Sequence, residues 1–238
     1  APFVTANLGK KVTMVFPDFA FGHDHRDYFT AAVAAQGGEV IAQIAIPPTE
    51  TSFTRYFPQI PADTEVLYHV MVGPAVLTFV KEIGEFYGSG AKPQLFGFMD
   101  SLEAVDIKSP GLEFLEGSHF WEAQPRYKQA DASAAETAYR AAVGVDDNGA
   151  SVSDPADIST YSHMFSVWET LSVIKAGMEA SGYASSADRA KFIEAVEAMT
   201  EFAEGEDHPQ GAKTFNGKTH QAFGIQNISK VDGGKLMV

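Results

Sequence analysis

The residues best placed to do chemistry in this chain are suited to holding a ligand rather than to making or breaking a bond. Asp18-Phe19-Ala20-Phe21-Gly22 follows the apolar run Lys11–Phe16 and reads as a loop. Phe19 and Phe21 offer two aromatic faces, and Asp18 could fix an ammonium or a hydroxyl. Met71 and Met99 end two further apolar runs, and Asp100 follows the second of them. Small-molecule sites are mostly apolar walls with a few placed polar groups, and these six residues have that make-up. Each also has a plainer reading. The phenylalanines could anchor a loop on its own sheet, the methionines could fill core gaps, and aspartates at strand ends are commonly solvated.

Bond-making constellations are missing from the sequence. There is no G-x-S-x-G elbow, no P-loop and no glycine-rich dinucleotide turn after the first strand. With no cysteine, thiol catalysis, disulfides and thiolate metal sites are all excluded. His23 and His25 form an H-x-H, whose members lie on different faces of a helix and do not converge on a metal. Asp146-Asp147-Asn148-Gly149 lacks the spacing of a calcium loop and reads as a turn. The expectation is a protein with no catalytic residues, no metal and no cofactor, although a triad assembled from distant positions leaves no local signature.

The elements that must position the candidates follow from periodicity. Lys11–Phe16 is short and rich in Val and Phe, so it predicts a strand buried on both faces. A helix after Gly22 runs to about Gln36 and stops at Gly37-Gly38. Strands are expected at Glu39–Ile46, Glu65–Val72, Gln94–Phe98 and Gly117–Ala123. Phe53, Tyr56, Phe57 and Ile60 suggest a short helix that Pro58 should truncate. Pro74 opens a helix that runs to about Tyr87. Strands alternating with helices imply βαβ units, hence an α/β fold with a mostly parallel sheet flanked by helices. In such sheets the loops at the carboxyl ends of the strands face the ligand crevice, which is where the six candidates fall. After Ala123 the pattern turns helical, at 131–143, 159–180 and 187–202. Gln221–Ser229 and Lys235–Val238 look like two strands around Asp232-Gly233-Gly234.

Composition narrows the function classes. The chain has 238 residues, 45% of them hydrophobic and 12% aromatic, enough for a substantial core. Its formal net charge of −14 disfavours nucleic acid, which needs a basic face to displace phosphate counterions. No apolar run is long enough to form a membrane-spanning helix. Ala1-Pro2-Phe3 reads as a processed or trimmed start.

Several stretches, taken together and in order, resemble a known family. They are Lys10–Gly22, Gly37-Gly38-Glu39-Val40, Thr51-Ser52-Phe53, His220-Gln221 and Val231-Asp232-Gly233-Gly234-Lys235. The likeness is to periplasmic solute-binding proteins of ABC transporters, of the leucine/isoleucine/valine-binding branch with the type I periplasmic binding fold. Members of that family are two lobes joined by a hinge, and this chain resembles the part from the second lobe onward. The resemblance implies a ligand-binding second lobe over 1–123. It further implies a helical segment over 124–220 that packs on a first lobe missing from the sequence, and a returning hinge with final strands over 221–238. Pro58, Val72 and Met99 depart from the family's usual pattern.

What the resemblance implies for function is capture of a small apolar or aromatic amino acid or carboxylate between two lobes. Delivery would be to a membrane permease, in the periplasm, with an export signal outside this chain. A ligand-sensing domain of a receptor or regulator on the same fold is the alternative, and an α/β enzyme a more distant one. If the first lobe is absent, Phe165, Trp168, Leu171 and Ile174 of the 159–180 helix are expected to be exposed and to drive self-association.

Overall fold

The computed structural model describes residues 1–73, 75–98, 107–122, 126–155, 161–224 and 226–238, with only the backbone at 161–164. In chain order the elements begin with α1 (Pro2–Asn7), β1 (Lys11–Pro17), α2 (Ala20–Ala35), β2 (Glu39–Ile46), β3 (Val66–His69), α3 (Val76–Tyr87), β4 (Gln94–Phe98) and β5 (His119–Glu122). They continue with α4 (Ala134–Val143), α5 (Tyr161–Ser181), α6 (Arg189–Glu197), β6 (Glu201–Phe202), β7 (Lys213–Asn216), β8 (Gln221–Gly224), β9 (Asn227–Asp232) and β10 (Lys235–Met237). The chain divides into two compact units, Ala1–Glu122 with Ile228–Val238, and Ala123–Asn227.

The first unit is built on a seven-stranded sheet in the order β10-β9-β5-β4-β3-β1-β2. Strands β1 to β5 pair in parallel and β9 pairs antiparallel with β10. Every residue of β1 except Lys11 is buried, as expected for a strand covered on both faces. Alternation sends Tyr68 and His69 of β3 to opposite faces. On the Tyr68 face, Val4 of α1 and Val33 of α2 pack with Val12, Met14, Phe16, Val66, Val70 and Phe96. On the His69 face, Phe79 of α3 meets His69, Phe53 and Phe57, at ring separations of 5.5, 5.4 and 5.9 Å. Such aromatic burial is the main source of stability in a sheet of this kind.

The second unit joins α4, α5 and α6 with a small antiparallel sheet, β6-β7-β8. Arg140 is buried against Glu136 and donates to the carbonyls of Arg126 and Asp146 at 3.1 and 3.2 Å. That bonding ties the 144–150 turn to α4. Tyr139 and Phe165 stack with ring centroids 3.6 Å apart.

Several sequence expectations are corrected. Helix α2 starts at Ala20, ahead of Gly22, so Phe21 belongs to its first turn. Around Pro58 only a 3-10 turn survives, Phe57–Gln59, with Phe53 and Phe57 buried as its anchors. Helix α6 ends at Glu197, and Glu201–Phe202 forms a strand instead. The stretch Gln221–Ser229 is two strands in two different sheets. Phe165 is fully buried, whereas Val167, Trp168, Leu171, Ile174 and Met178 are exposed along α5.

Candidate functional site

Parallel pairing brings the carboxyl ends of β1, β3, β4 and β5 to one edge of the sheet, and the aromatic residues there form a connected cluster. It starts at the turn between β1 and α2. The Asp18 amide donates to the Ile46 carbonyl at 2.7 Å, closing the turn over β2. Phe19 is the extended N-cap of α2. Its ring is 39% exposed and stacks on Phe21 at 6.1 Å. Gly22 makes the sharp entry possible, because a Cβ there would lie 1.9 Å from the Pro17 carbonyl oxygen. The helix can therefore begin directly over the strand end only with glycine at this position.

One turn further, His25 stands beside Phe21 at 4.6 Å, as the i, i+4 spacing requires. His25 also meets Trp121 at 5.9 Å and Phe98 at 6.4 Å. Phe98 and Trp121, from adjacent strands, stack at 4.3 Å with a 22° interplanar angle. Phe21, His25, Phe98 and Trp121 are all only partly buried. Beneath them Tyr68 is buried, its hydroxyl 3.1 Å from His25 Nδ1 and its ring stacked on Phe29 at 4.0 Å. The result is an accessible aromatic shelf with one imidazole in it. Desolvation lowers the His25 pKa, opposed in part by the Asp24 carboxylate. Burial raises the Tyr68 pKa, so its hydroxyl stays protonated.

The sequence candidates are distributed as follows. Phe19 and Phe21 come together at the shelf. Asp18 is exposed beside it and pairs with His23 Nε2 at 2.8 Å. Met71 lies just past β3 and is 5% exposed, so its side chain is packed inside. Met99 and Asp100 lie outside the described residues. Tyr68, Phe98 and Trp121 were not singled out from sequence, and His25 was weighed there only as half of an H-x-H. The available signal was Phe21, His25 and Phe29 at successive i, i+4 steps on one helix face. Among the described residues no group of three or more His, Asp or Glu side chains is arranged to hold a metal ion. A cleft of about 570 Å³ lined by Lys81, Glu85, Lys92, Glu113 and Phe114 lies at the carboxyl end of α3. Since α3 leads back towards the start of β4, that cleft is at the opposite edge of the sheet from the shelf.

Solved structures share this fold. A solute-binding protein of an ABC transporter from R. palustris, in complex with benzoate, superposes with a TM-score of 0.73 at 21% identity, covering 99% of this chain and 59% of that one. A second from R. palustris, in complex with 4-hydroxybenzoate, gives 0.75 at 18% identity, with 98% and 60% coverage. A periplasmic binding protein type 1 from Bordetella pertussis gives 0.73 at 15% identity, with 99% and 62% coverage. The chain thus spans about three fifths of the length of the structures it matches, and at these identities the likeness is one of fold. No curated protein sequence matches significantly. The profile of the periplasmic binding protein family matches residues 1–235, nearly the whole sequence and both compact units; the chain belongs to the periplasmic binding protein family.

Proposed function

We propose that this chain is the larger part of an extracytoplasmic solute-binding component of an ABC transporter. It binds a small aromatic or apolar carboxylate or amino acid and presents it to a membrane permease. The observation that carries this reading is the partly exposed aromatic shelf at the carboxyl ends of the parallel strands, where open α/β sheets take their ligands. Two proteins of the same fold hold benzoate and 4-hydroxybenzoate, whose rings suit a shelf built from Phe19, Phe21, Phe98 and Trp121. Asp18 supplies a polar edge, Met71 backs the site from inside the core, and Met99 and Asp100 are kept as contacts proposed from the sequence. The role is binding without turnover, metal or cofactor, in the periplasm. Isothermal titration with aromatic acids and aromatic amino acids tests it. Phe19→Ala and Phe21→Ala are each expected to weaken binding about tenfold, the loss of one aromatic contact. Unchanged affinity in both variants would remove this turn from the site.

In this reading residues 1–123 form one ligand-binding lobe, 124–220 pack on another lobe outside this sequence, and 221–238 return through the hinge. Support comes from α5, where Val167, Leu171, Ile174 and Met178 form an exposed stripe at helical spacing. Each such side chain gains about 1.5–3 kcal/mol on burial, so the stripe favours a covering surface. The isolated 238-residue chain is therefore expected to self-associate and to bind solute weakly, as measured by light scattering and titration. A stable monomer with full solute affinity would overturn the two-lobe arrangement.

A further inference from the structure

The shelf is apolar except for one half-buried imidazole, and the bonding around that imidazole fixes what it can offer a ligand. Tyr68 is buried, and its hydroxyl lies 3.1 Å from His25 Nδ1. Either group could donate. Burial decides between them, since the Tyr68 hydroxyl has no other hydrogen-bond acceptor among the described residues and its hydrogen would be left unmatched away from water if His25 donated instead. The hydroxyl hydrogen is then left for His25 Nδ1, which accepts it. A neutral imidazole carries its single proton on the other nitrogen, and desolvation keeps this ring neutral. His25 therefore presents Nε2–H. Among the described residues that atom has no hydrogen-bond partner, yet it is not sealed from solvent.

A donor set among Phe21, Phe98 and Trp121 at 4.6–6.4 Å loses its water when an aromatic ring covers it. A ring with no acceptor leaves the donor unmatched, which is the arrangement that most penalises the wrong ligand. We propose that His25 is the specificity-determining residue of the shelf, donating from Nε2–H to an oxygen substituent on the ring of an aromatic acid. Oxygenated aromatic acids are thereby selected over unsubstituted ones. This rests on the solute-binding reading above and names the solute class within it.

The probes are 4-hydroxybenzoate and benzoate, titrated against the whole protein that carries this chain. The native protein is expected to prefer 4-hydroxybenzoate by about tenfold or more. His25→Phe, which keeps the ring packing, should bring that ratio close to one. Tyr68→Phe, which releases Nδ1, should lower it part of the way. Nitrogen NMR of the native protein near neutral pH should show His25 Nδ1 unprotonated and Nε2 protonated, and this arm and Tyr68→Phe decide the matter if His25→Phe does not fold. Equal affinities in the native protein, a ratio unmoved by His25→Phe, or a proton on Nδ1 would each overturn the assignment while leaving an aromatic solute in place. Failure of both acids to bind would overturn the aromatic-solute reading itself, and the role of His25 with it.

Discussion

A Gly22→Ala variant is expected to melt roughly 6–12 °C lower than the parent and to lose most of its solute affinity. The new Cβ would sit 1.9 Å from the Pro17 carbonyl oxygen and 3.0 Å from its carbonyl carbon. Both are backbone atoms, so no side chain can rotate to make room. Overpacking of this kind costs about 3 kcal/mol or more, and for a chain of this length each kcal/mol shifts the melting temperature by about 2–4 °C. Relief requires α2 to start later or tilt away from the end of β1. Either movement carries Phe19, Phe21 and His25 out of register with Phe98 and Trp121, so stability and binding fall together. Calorimetry with a titration on the same sample checks both. A variant that melts and binds like the parent would show that α2 is not held by this contact.

The second large effect concerns acid. His69 is fully buried between β4, β5 and α3, against Gly97, Phe120 and Phe79. Neither ring nitrogen has a hydrogen-bond partner among the described residues. Gly97 keeps the space, since a Cβ there would meet His69 Nε2 at 2.4 Å. Burial pushes the His69 pKa down to about 4 from an ordinary 6.5. The folded state therefore holds the ring neutral where the unfolded chain takes up a proton. The contribution to stability is fully present above pH 6.5 and is lost as the pH falls from 6.5 towards 4. Over that window the loss is about 3 kcal/mol, a large part of the roughly 5–15 kcal/mol that holds a domain together. A His69→Leu variant fills similar volume without a titrating group. Its unfolding free energy from denaturant titration should fall less between pH 7 and pH 4.5 than the parent's, by about 2 kcal/mol. An identical pH slope in parent and variant would exclude His69 as the source.

The parts of the fold legible in the sequence were those whose signal is local. Strands β2 and β4 fall where alternation and flanking turns place them, and β1 extends only one residue further, to Pro17. The α/β class and mostly parallel sheet follow from that alternation. Parts that depend on distant partners were not legible. Strand β7 is a polar four-residue stretch that becomes a strand only by pairing with β6 and β8. Gly22 reads as a helix breaker from propensity, but a close approach to Pro17 puts it inside the helix. The aromatic loop after β1 was visible as a candidate site because its composition is unusual. His25 was weighed only as half of an H-x-H, because Tyr68 and Trp121, which give it a role, lie 43 and 96 positions away in the chain.

The order of strands in the large sheet also governs how the chain can be completed during synthesis. Strand β5 needs β9 as its outer neighbour, through Gly117 N–H to Val231 O at 3.0 Å and Val231 N–H to Ser118 O at 2.8 Å. Between them the ribosome must make residues 123–226, which is 104 residues. At about 5–20 residues per second this takes roughly 5–20 s. A sheet formed without β9 carries an open β5 edge, with Phe120 and Trp121 on it, of the kind that invites pairing with another chain. The length of the inserted unit thus sets how far along the chain the β5 edge must reach for its own cover, and a sheet that forms before β9 joins it is open to pairing with a second chain.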